Sequence, residues 1–252
     1  MTALAPAFAT GLVATALQRT ADAYSSITAA SAAIRYIRPV LKWAEKRGLT
    51  PKGLWRDIDP PAPVKRRDRV LSDSELILLL KHLGMRGHDG AARMLLLTAT
   101  RREEVCQMKF EDIIEDVWYV PAEIRKTGGE LRIPLTPYVQ TLVGAQGRME
   151  GLVFVGDRGG PLRNWDRWQK KVHELTGTSG WHRHDLRRTA ATILGNNGVP
   201  PHVVEIVLGH KDPHTQLAGI YNQSRYEKEH EDALQILSDV ISGLEMKALG
   251  KV

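Results

Sequence analysis

W-H-R-H-D-L-R-R-T-A-A-T-I-L-G-N-N-G-V-P-P-H-V-V-E-I-V-L-G-H-K-D-P-H-T-Q-L-A-G-I-Y, Trp181 to Tyr221, is the stretch on which the reading of this chain turns. His184 and Arg187 stand three apart at the start of an expected helix, so both side chains leave the same face. Thr189 to Leu194 continues as a mostly apolar run, and Gly195 and Asn196 are expected to stop it. A second helix is expected from Pro201 to Leu208, with proline in its first turn and Gly209 after its end. His210 then falls just past a helix C-terminus, and Tyr221 follows one short segment later. Two imidazoles, a guanidinium and a phenol are thus held on short helices.

Arginine presents a rigid fork of donors that matches two oxygens of a phosphate. Histidine donates a hydrogen bond or moves a proton near neutral pH. Tyrosine is a covalent nucleophile only with help, since its ordinary pKa is about 10. A phosphodiester held by arginine and histidine while tyrosine attacks phosphorus would use all of them. Such chemistry calls for a second arginine and a general acid elsewhere.

Both have candidates upstream. In L-L-L-T-A-T-R-R-E-E-V-C-Q-M (Leu95–Met108) an apolar helix is expected to run into Arg101 and Arg102, with Glu104 following and Val105 and Met108 facing the core. In W-Y-V-P-A-E-I-R-K-T-G-G-E-L-R-I-P-L (Trp118–Leu135) one strand is expected to turn at Thr127-Gly128-Gly129 and return as a second. Lys126 sits at the expected hairpin tip, with Arg125 as its nearest rival. Taken singly, each residue has a plainer reading: a solvated charge at a helix end for Arg101 or Arg102, a surface lysine for Lys126, a buried aromatic for Tyr221, with Tyr226 as a second phenol.

With Arg101, Lys126, His184-x-x-Arg187, Leu208-Gly209-His210 and Tyr221 in that order, the sequence resembles the tyrosine recombinases, the phage-integrase family, from roughly Leu71 onward. The W-Y-V-P-A-E and G-I-Y-N-Q segments are most similar to integrases of prophages and genomic islands. The resemblance implies a mainly α fold with a small antiparallel β-sheet (α+β), a catalytic domain preceded by a short helical core-binding region. It implies a site-specific DNA recombinase that cleaves and rejoins strands through a 3′-phosphotyrosyl intermediate, with no metal and no other cofactor. The family register selects Arg101 over Arg102, leaves Glu104 to orient it, and selects Tyr221 as nucleophile. Arg101, Arg187 and His210 would stabilise the scissile phosphate, Lys126 would protonate the leaving 5′-oxygen, and His184 would assist proton transfer at the phenol. Ala99 stands where the family usually carries glycine. The implied partners are double-stranded DNA at attachment or recombination sites and further copies of the chain in a homotetramer, with the C-terminal helix as the expected docking element. The implied location is the cytoplasm, at the nucleoid. Two other readings share the residues: a type IB topoisomerase-like enzyme, and a truncated or decayed integrase that binds DNA without recombining.

Composition agrees with a globular protein. The 252 residues are 42% hydrophobic and 25% charged, and no apolar run is long enough to span a membrane. The Ala-rich start lacks a basic segment, which argues against a signal peptide. One cysteine excludes an internal disulfide and suits a reducing compartment, and Cys106, expected in mid-helix, reads as a small core residue. The net charge of +6 favours a polyanionic partner. His182, His184, His202, His210 and His214 with a single cysteine form no recognisable zinc ligand set.

The expected organisation is 1–60 as an abbreviated helical DNA-binding region, 61–70 as a basic linker, and 71–252 as the catalytic domain. Ala21 to Arg47 reads as one helix with Ile34, Ile37, Leu41 and Ala44 facing a core and Gly48 as its stop. Arg35, Arg38 and Lys42 on it, and Lys65, Arg66, Arg67 and Arg69 in the linker, are the DNA-binding candidates. Asp57 to Pro63 cannot continue a helix. Ser72-Asp73-Ser74-Glu75 is an expected capping box. The glycine-rich turn Gly156–Gly160 lacks the Lys-Ser/Thr of a phosphate loop. Trp165 and Trp168 read as core and rim of a helix. An amphipathic tail from Tyr226 to Leu249 carries Ala233, Leu234, Leu237, Val240, Ile241 and Leu244 on one face.

Overall fold

The computed structural model describes residues 14–63, 68–126, 128–210 and 226–251. The chain divides into two compact units, Met1–Arg67 and Asp68–Val252, each with its own apolar cluster.

In the first unit, helices α1 (Ala14–Asp22) and α2 (Ile27–Glu45) replace the single helix expected from Ala21 to Arg47. The break has a local cause. Ser26 is extended and its Oγ accepts from the Ala29 amide at 3.3 Å, so the serine starts a new helix instead of prolonging the old one. Ile34, Leu41 and Ala44 are buried, and Ile37 packs on the cluster that Ile34 and Leu41 form with Ala21, Ala30, Leu54 and Ile58.

The second unit runs α3 (Asp73–His82), α4 (Gly87–Thr98), α5 (Arg102–Cys106), β1 (Ile113–Ile114), β2 (Val117–Val120), β3 (Leu131–Pro134), α6 (Pro137–Gly144), α7 (Trp165–Thr176), α8 (Arg183–Asn196), α9 (Pro201–Val207) and α10 (Glu227–Ala248). The capping box forms at the start of α3: Ser72 Oγ accepts from Glu75 N at 3.3 Å, and Glu75 accepts from Ser72 N at 3.0 Å. Helix α4 is buried from Gly90 to Thr98, so it can only be a core element, and α5, α6, α8 and α10 pack on it. Its one buried charge, Arg93, has every donor engaged, on the carbonyls of Leu80, Leu83 and Gly84, the Tyr138 hydroxyl, and Glu245 of α10 at 2.7 Å.

The apolar face expected on the tail is real: Ala233, Leu234, Leu237, Ile241 and Leu244 are buried and Val240 is partly so. It lies against the chain's own α3, α4, α8 and α9, so that stripe is already covered and is not the part another copy would meet. Trp165 is buried and Trp168 half-buried, as core and rim.

The sheet is antiparallel in the order β1-β2-β3, with Trp118 opposite Ile133 and Val120 opposite Leu131. Trp118, Val120 and Ile133 enter the core, while Tyr119 and Arg132 face outward. Strand β2 ends sooner than expected, because Pro121 has no N–H for the ladder and a 3-10 turn, Ala122–Ile124, follows. Helix α8 outruns its expected stop. Gly195 and Asn196 stay helical, and the left-handed residue that turns the chain is Gly198, at φ 78°. Among the described residues no helix is long and apolar enough to cross a membrane.

Candidate active site

The helix that was expected to run into Arg101 stops at Thr98. Ala99 is fully buried and left-handed at φ 52°, a conformation that glycine enters without a Cβ clash, which is the physical sense of a glycine at this position. The chain restarts with Arg101 as the N-cap residue of α5. Glu104, buried, ties this restart together: its carboxylate accepts from Arg101 N at 2.8 Å and from Arg101 Nη1 at 3.1 Å. The guanidinium is therefore aimed by its own helix. Cys106 lies at the end of α5, not in mid-helix, and burial pushes its thiol up to about 11, so it stays protonated.

Helix α8 supplies His184 and Arg187. Its start is set by Asp185, buried, which accepts from His182 N at 2.8 Å and pairs with Arg188. Thr189 Oγ1 accepts from Leu71 N at 3.0 Å, fastening the helix to the lead-in of α3. Arg187 is 4% exposed, and its Nη1 and Nη2 each donate at 2.5 Å, to Ala99 O and Leu208 O. One side chain thus joins the ends of α4 and α9. Burial and the neighbouring Arg101 charge lower its pKa to about 10, which still leaves it a cation at neutral pH. His184 lines the same cavity as Arg187, together with Leu95, Thr100, Arg102, His182 and Arg183. Partial burial, then the Arg188 and Arg187 charges, hold the His184 imidazole below the usual histidine value.

His210 follows Gly209 at the end of α9. Its Nδ1 lies 2.6 Å from Glu205 Oε2 and its Nε2 3.1 Å from Arg187 Nη2. A guanidinium only donates, so in this arrangement Nε2 accepts and the ring proton sits on Nδ1, facing the carboxylate. Glycine suits position 209 on two counts: its φ is 57°, and a Cβ there would come within 2.7 Å of Arg125 Nη2 and 2.9 Å of a Leu131 methyl, so that both side-chain ends would have to shift.

Arg125 and Lys126 lie between β2 and β3. Arg125 is 9% exposed and reaches inward, donating to Gly129 O at 2.7 Å and Gly209 O at 2.8 Å, with Nε 3.8 Å from Glu104 Oε1. Lys126, the next residue, is exposed. Tyr221 lies outside the described residues, as do Lys65, Arg66, Arg67 and His214.

Contacts therefore join Arg101, Glu104 and Arg125 in one group and Arg187 and His210 in another, the two reaching the neighbouring carbonyls of Gly209 and Leu208, and His184 shares a cavity with Arg187. Three guanidiniums against Glu104 and Glu205 leave an excess of positive charge with donors held in place, an environment suited to a phosphate. Sequence reasoning named Arg125 only as a rival to Lys126 and missed Glu205, whose signal was its place one turn before the helix end that presents His210. Of the DNA-binding candidates, Arg35 and Lys42 are exposed on α2, with Lys42 Nζ 5.0 Å from the Trp55 ring. Arg38 is half-buried on Trp55 O at 3.0 Å and Asp59 at 3.5 Å, and Arg69 is committed to Glu75. Among the described residues no group of His, Cys, Asp and Glu is arranged to hold a metal ion.

Guanidiniums gathered at helix junctions of a mainly α unit form an arrangement suited to a phosphodiester backbone. Residues 74–228 match the family model described as the phage integrase family, and the chain belongs to that family of DNA strand-transferring, site-specific recombinases. Among its relatives is the tyrosine recombinase XerD of Mycobacterium tuberculosis (strain CDC 1551 / Oshkosh), 29% identical over 212 residues, which cover 75% of this chain and 67% of the relative. Another is the prophage integrase IntF of Escherichia coli (strain K12), 26% identical over 204 residues, which cover 73% of this chain but 43% of IntF. In fold the chain is similar to a lambda integrase(75-356) dimer bound to a COC′ core site, with a TM-score of 0.66 at 17% identity over 81% of this chain and 80% of that one. It is also similar to the Tn1549 transposon integrase in complex with circular intermediate DNA, with a TM-score of 0.62 at 15% identity over 88% and 85% of the two chains.

Proposed function

We propose that this chain recombines DNA at specific sites through a 3′-phosphotyrosyl intermediate, with Tyr221 as the nucleophile. The observation that carries the reading is Arg187, which bridges the ends of two helices, contacts His210 and lies close enough to Arg101 for the two charges to interact. Arg101 and Arg187 grip the non-bridging oxygens of the scissile phosphate and stabilise the charge of the pentacoordinate transition state. His210, backed by Glu205, serves beside them as a further hydrogen-bond donor. His184, held neutral, takes the phenol proton as the tyrosyl oxygen bonds to phosphorus. The bond from phosphorus to the 5′-oxygen breaks, and Lys126 supplies the proton to that oxygen. Rejoining runs the same steps backward, the covalent link having kept the bond energy.

Residues 1–60 serve as a DNA-binding region, with Arg35 and Lys42 as its phosphate contacts, Arg38 as a brace for that surface, and 61–70 as a basic linker to the catalytic domain 71–252. Lys65, Arg66 and Arg67 of the linker contact phosphates, while Arg69 fixes the first helix of the catalytic domain. Strand exchange engages a tetramer on two duplexes, the state named for one similar structure, a lambda integrase tetramer bound to a Holliday junction. Contacts between copies through the C-terminal region use residues other than the covered stripe of α10. The enzyme works in the cytoplasm, on the nucleoid.

Covalent trapping tests the central claim. The protein is incubated with nicked duplexes drawn from the genomic flanks of its gene, and a denaturation-resistant adduct is sought by gel electrophoresis. The expected result is an adduct with the parent protein and none with Tyr221→Phe. An adduct that survives this substitution would remove Tyr221 from the mechanism, and tight binding without an adduct on any flank would favour a protein that binds DNA without cutting it.

A further inference from the structure

We infer that Arg125 is a positioning residue for the recombination reaction: it anchors the β2–β3 connection to the phosphate-binding cluster and so sets the reach of Lys126. The inference rests on the proposed role of Lys126 as the acid. Arg125 is a long cation, yet it is 9% exposed, in a connection whose next residue, Lys126, is exposed. Its fork spans two segments, Gly129 O within the connection at 2.7 Å and Gly209 O beside His210 at 2.8 Å. Its Nε is buried, 3.8 Å from Glu104 Oε1, and has no hydrogen-bond partner among the described residues. The same carboxylate oxygen holds Arg101 at 3.1 Å. Arg125 is therefore tied at once to the carboxylate that aims one phosphate-gripping arginine and to the backbone that presents His210. The chain itself makes room for this tie, since a Cβ on Gly209 would stand 2.7 Å from Arg125 Nη2. A solubilising surface arginine needs none of these arrangements, and burying one without a use is costly.

The mechanical consequence concerns Lys126. A lysine at the end of a loose connection samples many positions, and displacing a reacting group by about 1 Å costs on the order of 100-fold in rate. With Arg125 clamped at its neighbour, the backbone of Lys126 starts from a fixed point at the edge of the site. Arg125 moves no proton. It acts through Lys126, whose ammonium gives its proton to the 5′-oxygen as the bond from phosphorus to that oxygen breaks.

The test separates leaving-group protonation from everything else. Adduct formation is timed on a nicked duplex with the normal 5′-oxygen and on one with sulfur at the bridging position, which departs as a thiolate without an acid. Lys126→Ala, Arg125→Met and the parent are compared, with thermal unfolding as the check on folding. Arg125→Met is expected to slow the oxygen substrate about 100-fold more than it slows the sulfur substrate. Equal slowing on both substrates, or no slowing on either, overturns the inference. If Lys126→Ala is rescued by sulfur and Arg125→Met is not, Arg125 alone loses its assigned role. If Lys126→Ala is not rescued, the acid assignment falls and takes this inference with it. Should Arg125→Met fail to fold, Arg125→Lys, which keeps a cation near Glu104 but cannot span both carbonyls, is read on the same two substrates.

Discussion

At the scale of single residues, the site consists of side chains whose partners settle what each can do. His184 illustrates how this leads to a measurable pH dependence. Partial burial and the Arg188 and Arg187 charges lower its pKa, so the neutral ring that accepts a proton persists to lower pH than an ordinary histidine near 6.5 would allow. The acidic limb of the second-order rate of adduct formation, which reports the free enzyme, is therefore expected below pH 6.5. A limb at or above that value, or one unchanged in His184→Gln, would remove the histidine from proton transfer. The grouping of His184, Arg187 and His210 was legible in the sequence because their spacing on short helices is local, whereas Arg101 was singled out from Arg102 only by its resemblance to the family register. Arg125 was not assigned a role, since its importance comes from Gly209 and Glu104, far away in sequence. Ala99 was visible as a departure from the family pattern, but only the backbone angle explains what a glycine would do there.

Elements tell a similar story, with periodicity readable and endings less so. The stripe of α10 was plain in the sequence, while Ser26, Pro121 and Gly198 set boundaries by local bonds that a hydrophobic pattern does not record. That stripe also hides His230, 6% exposed, whose pKa burial lowers to about 4. The unfolded chain binds a proton there near pH 6.5 and the folded chain does not until about pH 4, so stability is fully present above pH 6.5 and falls as pH drops through that window. The loss by pH 5 is on the order of 2 kcal/mol. Chemical unfolding of the parent and of His230→Leu at pH 7 and pH 5 should show the drop in the parent and a markedly smaller one in the variant. Equal drops would mean that some other group governs acid sensitivity.

For the whole molecule, the informative fact is that the two apolar clusters are separate: one lies within Ala21–Ile58 and the other within Leu71–Leu244. Residues 68–252 alone should therefore unfold in one cooperative transition. They should also form the tyrosyl adduct on nicked DNA, yet bind duplex more weakly and with a shallower salt dependence, because the exposed cations of α2 are gone. A fragment without a cooperative transition would show that the larger unit needs the smaller one to fold. The net charge of +6 hinted at a polyanion, but the number cannot say which cations are free. Arg38 and Arg69 are engaged on their own unit, Arg35 and Lys42 are exposed, and such a distinction requires coordinates.

Arg187, proposed above to grip the phosphate, also holds the carbonyls of Ala99 and Leu208 together. Losing it would loosen the fold as well as silence the reaction, whereas Arg101 reaches Glu104 of its own short helix. A descendant that had stopped cutting DNA would still be selected to keep Arg187 for as long as it needed to stay folded, and Arg101 would be freer to drift. The first trace of such a lineage would be a missing Arg101 beside an intact Arg187.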